Sequence, residues 1–351
     1  MSYSTTSNPP RQSAPAMRAR FAGRGAGLAA SAALALVATV LGRLVPVVGA
    51  PVFAIVGGIL LVLARPLPDA WRPGVHVAAK TVLQGSIVVL GTALSFRQVL
   101  ATGAASLPVM VGSLAVALLG AALLGRALGI ERDLRTLIGV GTGICGASAI
   151  AATDAVIDAP EADVTYAVAT IFLFNVAAVL TFPTLGRLLH MTPGAFGLWA
   201  GTAVNDMSSV VAAASIFGHH ATSSAVVVKL TRTLMIIPIT LVLAFWRARA
   251  TPAGERRSLV GHVRRTFPLF IAWFLLATTL NTVGLVPSAL HVGLGDVASF
   301  MITMALGAIG LSTRVRDIAR AGYRPLVLGA LLWILVGSVS LGLQTLTGLR
   351  G

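Results

Sequence analysis

The chain has 351 residues, of which 56% are hydrophobic and only 11% charged, with a mean hydropathy of +0.89. A soluble domain carries roughly 25% charge, so this is a polytopic membrane protein; at about 20 residues per span it has room for ten or eleven helices and none for a nucleotide-driven motor domain. The single cysteine, Cys145, excludes an internal disulfide and a cysteine-based metal site, and the net charge of +15 raises nucleic acid as a partner until its placement is considered.

Residues 1–24 are polar and rich in Pro and Ser, with Arg11, Arg18, Arg20 and Arg24. They read as a disordered basic cytoplasmic tail, leaving 25–351 as a single transmembrane domain. Arginines ahead of an apolar run resemble a signal peptide, but the long tail and the many later spans argue against cleavage. Apolar runs follow at 27–41, 48–64, 78–96, 104–125, 136–153, 164–186, 195–217, 222–246, 266–284, 288–312 and 323–346. They predict an all-α polytopic fold of about eleven transmembrane helices.

With the N-terminus in the cytoplasm, 21 of the 26 Lys and Arg residues fall on the inner side. Only Arg43, Arg97 and Arg350 fall outside, and Lys229 and Arg232 lie within the membrane. That is a positive-inside pattern, with an external C-terminus. The acidic loop of Asp154, Asp158, Glu161 and Asp163 and the turn at His219-His220 are both expected outside. The positive charge therefore encodes topology and attraction to the lipid bilayer, and excludes nucleic acid. Eleven spans divide into one leading helix and two sets of five, which must be inverted copies, a common transporter plan.

Two look-alike segments stand out, Gly141-Thr-Gly-Ile-Cys-Gly-Ala-Ser-Ala-Ile-Ala-Ala152 and Gly201-Thr-Ala-Val-Asn-Asp-Met-Ser-Ser-Val-Val-Ala-Ala213. Small and hydroxyl-bearing residues suit interrupted helices, or helices touching closely around a polar cavity. An interrupted helix frees backbone groups to hold a solute, whereas close packing through small residues is the plainer alternative. In an eleven-span count the two segments begin spans running in the same direction. They are then a convergent pair facing one cavity, or the count conceals a re-entrant loop.

Three charged residues fall inside spans: Asp206, Lys229 and Arg232. Each costs about 2.5–3.5 kcal/mol at the bilayer centre, which marks a functional site. Lys229 and Arg232 are three apart, on one helix face. Pairing with Asp206 would offset the burial cost and leave up to one positive charge for an anion, or would simply lock two helices. Gln84, Asn175, Asn205, Asn281, Ser148, Ser208 and Ser209 are further polar residues in spans, serving as inter-helix glue or as ligands. The candidate binding set is Gly141, Thr142, Gly143, Cys145, Gly146, Ser148, Asn175, Gly201, Thr202, Asn205, Asp206, Ser208, Lys229 and Arg232. The histidines show no metal spacing, and no nucleotide loop or Ser-His-Asp order is present, so no metal, cofactor or enzymatic activity is expected.

The first segment, Gly201-Thr-Ala-Val-Asn-Asp206 and Lys229-Leu-Thr-Arg232 together resemble the YeiH-like sulfate exporter family of bacterial inner-membrane proteins. Gly91-Thr-Ala-Leu-Ser-Phe96 and Gly307-Ala-Ile-Gly-Leu-Ser-Thr313 fit its other glycine-containing span ends. The family is similar in plan to the cation–proton antiporter and bile-acid–sodium symporter superfamily, which implies two inverted five-helix repeats with broken helices. Asn205 stands where that family usually has His, and Ser209 where Gln is usual. The resemblance implies a secondary transporter for a small oxyanion such as sulfate or a sulfonate, with Arg232 presenting a two-pronged donor to it. The alternatives are a proton- or sodium-coupled carrier that binds the cation at Asp206, and a non-transporting scaffold or sensor with an unbroken helix through Gly141–Ala152. A homo-oligomer is compatible with either.

Overall fold

The computed structural model describes residues 14–45, 49–240, 242–243, 269–312 and 323–349, and among these every regular element is a helix. The tail expected over 1–24 lies outside the described residues as far as residue 13; from Ala14 the backbone is helical. The chain divides into two compact units, Met1–Leu83 with Thr303–Thr313 and Gln84–Ile302 with Arg314–Gly351.

In the first unit, α1 (Ala14–Leu44) packs on α2 (Ala50–Ala64) and on the short α3 (Arg72–Val77), which continues through a π-helical turn at Ala78–Val82. Its core joins Val75 and Ala78 to Ala308 and Leu311.

The second unit begins with α4 (Leu83–Gly91) and the long α5 (Phe96–Ala127), which opens with a capping box between Ser95 and Gln98. Antiparallel to the end of α5 runs α6 (Arg132–Gly143): Gly125 faces Arg135, Gly139 faces Ala121, and Gly143 faces Leu114. The chain breaks at Ile144–Gly146, and α7 (Ala147–Ile157) turns back along α6. Gly141 faces Ile150, and Ile157 joins the apolar cluster of Ile130 and Leu134 at the base of α6. Asp163, in the first turn of α8 (Glu161–Leu188), lies within electrostatic reach of Glu131 and Asp133. The pair α6–α7 is therefore a re-entrant hairpin, with its tip beside the middle of α5.

The same construction repeats from the other end of α8. Helices α9 (Pro193–Ala203) and α10 (Met207–Phe217) are joined by Val204–Asp206. Phe196 near the start of α9 stacks on Phe217 at the end of α10, with ring centroids 4.0 Å apart. Arg187, at the end of α8, donates to Ile216 O at 2.8 Å. At the tip, Asn205 N–H donates to Asn175 Oδ1, near the middle of α8, at 3.2 Å. Helix α11 (His219–Leu234) then runs parallel to α9, Gly197 facing Ala221 and Ser224, and Gly201 facing Ala225 and Val228. The unit is completed by α12 (Leu269–Thr282), the first part of α13 (Ser288–Ser312) and α14 (Tyr323–Leu346), the last lying antiparallel to α5 with Leu343 against Gly112.

The all-helical, polytopic class is as expected, and among the described residues seven helices are long and apolar enough to cross a membrane. The runs 136–153 and 195–217 do not cross. Each is two half-helices of 11 or 12 residues, about 17 Å long at 1.5 Å per residue and so half of a roughly 30 Å bilayer core. The two Gly-Thr segments, which an eleven-span count sets in the same direction, end first limbs that approach from opposite ends of α8. They are equivalent under inversion, and the re-entrant alternative is the one observed. The expected span ends at 244–246 and 266–268 lie outside the described residues.

Candidate functional site

The two hairpin tips meet. A Cβ on Gly146 would stand 3.0 Å from Asp206 Cβ, and Gly146 has φ 69°, a conformation open to glycine. Four half-helix ends thus converge midway along α5 and α8. An α-helix leaves its last carbonyls unpaired with a partial negative charge, and its first N–H groups unpaired with a partial positive charge. The two kinds of end are treated differently.

The carbonyl ends of α6 and α9 are covered from α11. Lys229 Nζ donates to Ile144 O and to Val204 O, each at 2.8 Å, so one ammonium bridges both tips. Arg232 Nε donates to Gly143 O at 2.6 Å and Nη2 to Thr142 O at 3.2 Å, while Nη1 donates to Thr202 O. Val140 O and Gly141 O accept from Ile144 N and Gly146 N at 3.0 Å, which completes the accounting for the end of α6. Both side chains are 0% exposed.

The N–H ends of α7 and α10 are open. Ala147 and Ser148 are exposed, and Asp206 through Ser209 are half-buried. Asp206 caps α10, its Oδ1 accepting from Ser209 N at 3.3 Å, and its Oδ2 accepts from the Ser208 hydroxyl.

These contacts replace two expectations. Among the described residues Asp206 has no ion pair within 4.0 Å with Lys229 or Arg232; the pair that forms joins Arg72 and Asp69. Nor does Arg232 present a free fork, because its nitrogens are spent on three main-chain oxygens. The reason is geometric: the terminal carbonyls of two half-helices meet at one point and accept hydrogen bonds from both side chains. The structure brings the rest of the candidate set together at the tips in distinct ways. Gly141, Thr142, Gly143 and Thr202 contribute backbone oxygens, Gly201 lets α9 approach α11, and Cys145 is buried beside the bridge. Asn175 holds the second tip through Asn205. Two residues missed from the sequence pack on that hairpin from α14: Ser340 Oγ lies 2.6 Å from Thr202 Oγ1 near the tip, and Gln344 is buried one turn further on. Their signal was two polar residues four apart on one face of an otherwise apolar run.

Two opposed re-entrant hairpins, tip to tip and clamped by a buried basic pair, define an all-helical polytopic membrane protein with broken helices at mid-depth. Residues 26–329 match the model of the family described as Conserved hypothetical protein 698, and the chain belongs to that family. It is 44% identical over 336 residues to the UPF0324 membrane protein of Streptococcus pneumoniae serotype 4, covering 93% of this chain and 98% of that one. It is 42% identical over 332 residues to that of Streptococcus mutans serotype c (92% and 97% covered) and 40% identical over 336 residues to that of Fusobacterium nucleatum (90% and 96%). The family resemblance noted from the motifs is thereby borne out.

Proposed function

We propose that this protein is a secondary transporter whose solute, a small oxyanion such as sulfate or a sulfonate, binds at the open N-terminal ends of α7 and α10. The observation that carries this is the asymmetry of the tips: their carbonyl ends are sealed by Lys229 and Arg232, and their N–H ends are accessible at Ser148 and Asp206–Ser209. Helix N-termini with nearby hydroxyls suit an oxyanion. A scaffold has no need of broken helices at this depth, and the interruption at Ile144–Gly146 favours a carrier over the unbroken helix a scaffold would use. A cleft of about 570 Å³ along α6, lined by Arg132, Asp133 and Arg135 among others, reaches Gly139 and Val140, a turn short of the tip.

Asp206 shares the open end with the solute. Ionised, its carboxylate competes with an incoming anion for the same N–H groups; protonated, it becomes a donor. Anion and proton binding are then coupled through this one residue. In proteoliposomes, sulfate, sulfite and alkylsulfonate fluxes are measured under imposed pH or Na⁺ gradients. Flux driven by the pH gradient is expected, with Asp206→Asn retaining exchange of anions but losing the drive. No flux of any anion by monodisperse protein would sink the proposal, and flux driven by Na⁺ alone would transfer Asp206 to a sodium-coupled carrier.

A further inference from the structure

Lys229 is fully buried, with no carboxylate within 4.0 Å among the described residues. Two of its three N–H donors go to Ile144 O and Val204 O, the terminal carbonyls of two half-helices that arrive from opposite directions. Without a charge between them, two negative helix ends would face each other in a low-dielectric interior. Two further oxygens on the same tips, Thr142 Oγ1 and Asn205 Oδ1, are each 1% exposed and have no hydrogen-bond partner among the described residues. The Lys229 ammonium thus leaves two oxygens of the tips unpaired. Main-chain and amide oxygens around a single positive charge are the ligand set of a hard monovalent cation.

We propose that the meeting point of the two tips is a monovalent-cation site whose permanent occupant is the Lys229 ammonium. The lysine is a tethered ion: it supplies the charge that Na⁺, K⁺ or NH₄⁺ would otherwise supply, so the hairpins hold together without a metal ion. The site is distinct from the open N-terminal ends, and the inference stands whether or not the solute is an anion. Removing the tether without refilling its volume exposes the site to ions from solution. Lys229→Ala leaves such a space, while Lys229→Met fills it with an uncharged chain.

The test follows thermal unfolding of the purified protein in detergent, at constant ionic strength, as choline is replaced by Na⁺, K⁺ or NH₄⁺. The wild type is expected to show no difference between choline and the small cations. Lys229→Ala is expected to unfold several degrees lower in choline and to recover most of that loss, saturably, in at least one small cation. Lys229→Met is expected to be destabilised without recovery. Should Lys229→Ala fail to reach the membrane, Lys229→Ser, which leaves nearly the same space, goes through the same series with the same expectation. Saturable cation dependence in the wild type would overturn the proposal, as would variants that no small cation stabilises beyond the wild-type response.

Discussion

Arg232 shows how much one side chain can settle. Nε and both terminal nitrogens of its guanidinium reach the carbonyls of Gly143, Thr202 and Thr142, two helices at once, from a position with 0% exposure. A lysine is a point charge with a shorter reach and no planar fork, so it would leave at least one of these oxygens buried and unpaired. Arg232→Lys is therefore expected to cost about 1.5–3 kcal/mol of stability, the size of a hydrogen bond to a charged group. Unfolding of the purified variant measures this directly. Its apparent solute affinity, where it remains folded, should stay within about twofold of wild type, roughly 0.4 kcal/mol. A stable variant with sharply weakened oxyanion affinity would instead restore Arg232 to the solute site. Gly146 is the matching case without charge: φ 69° and the closeness of Asp206 leave no place for a side chain.

Among the elements, α9 and α11 carry the site, because α11 delivers both cations and α9 ends beneath them. Their approach depends on Gly201, where a Cβ would stand 2.7 Å from Val228 Cγ1 and 3.0 Å from Ala225 O. Gly201→Ala must push the helices apart, and Val228 is the neighbour of Lys229. Overpacking of this kind costs about 1–3 kcal/mol. The variant should unfold earlier and lose transport at matched folded amounts; wild-type values for both would show that α9 has room to spare. Gly201 was legible in the sequence as a site residue, but its work is packing. The interruptions themselves were legible, since Gly, Ser, Thr and Asp in apolar runs are poor lipid-facing residues. The reversal of direction was not. Two 11-residue apolar limbs joined by three residues have the length and hydropathy of one span, and periodicity does not distinguish a helix that continues from one that folds back. Direction was set by partners remote in sequence, such as Phe196 with Phe217 and Ile157 with the base of α6.

For the whole molecule, the hairpins rearrange the topology without disturbing its ends. An eleven-span count carries the loop at 154–163 and the turn at His219-His220 to the same face. Two hairpins entering from opposite ends of α8 place them on opposite faces, with Ile157 beside the base of α6 and Ile216 beside the end of α8. Removing two crossings preserves parity, so every segment after α10 keeps its side and a cytoplasmic N-terminus still goes with an external C-terminus. Of the positive residues only Arg187 changes sides, which leaves the positive-inside bias intact and explains why charge counting did not expose the hairpins. With a cytoplasmic N-terminus the acidic loop would then fall on the cytoplasmic face, where Asp and Glu contribute little to orientation. In a Cys145→Ser background, single cysteines at Asp158 and His220 are therefore expected to react with a membrane-impermeant maleimide from opposite sides of the membrane. His220→Cys should be labelled in intact spheroplasts, and Asp158→Cys only after lysis or in inverted vesicles. Labelling of both from one side would mean that an odd number of crossings does not separate them, and the opposed hairpins would have to be abandoned.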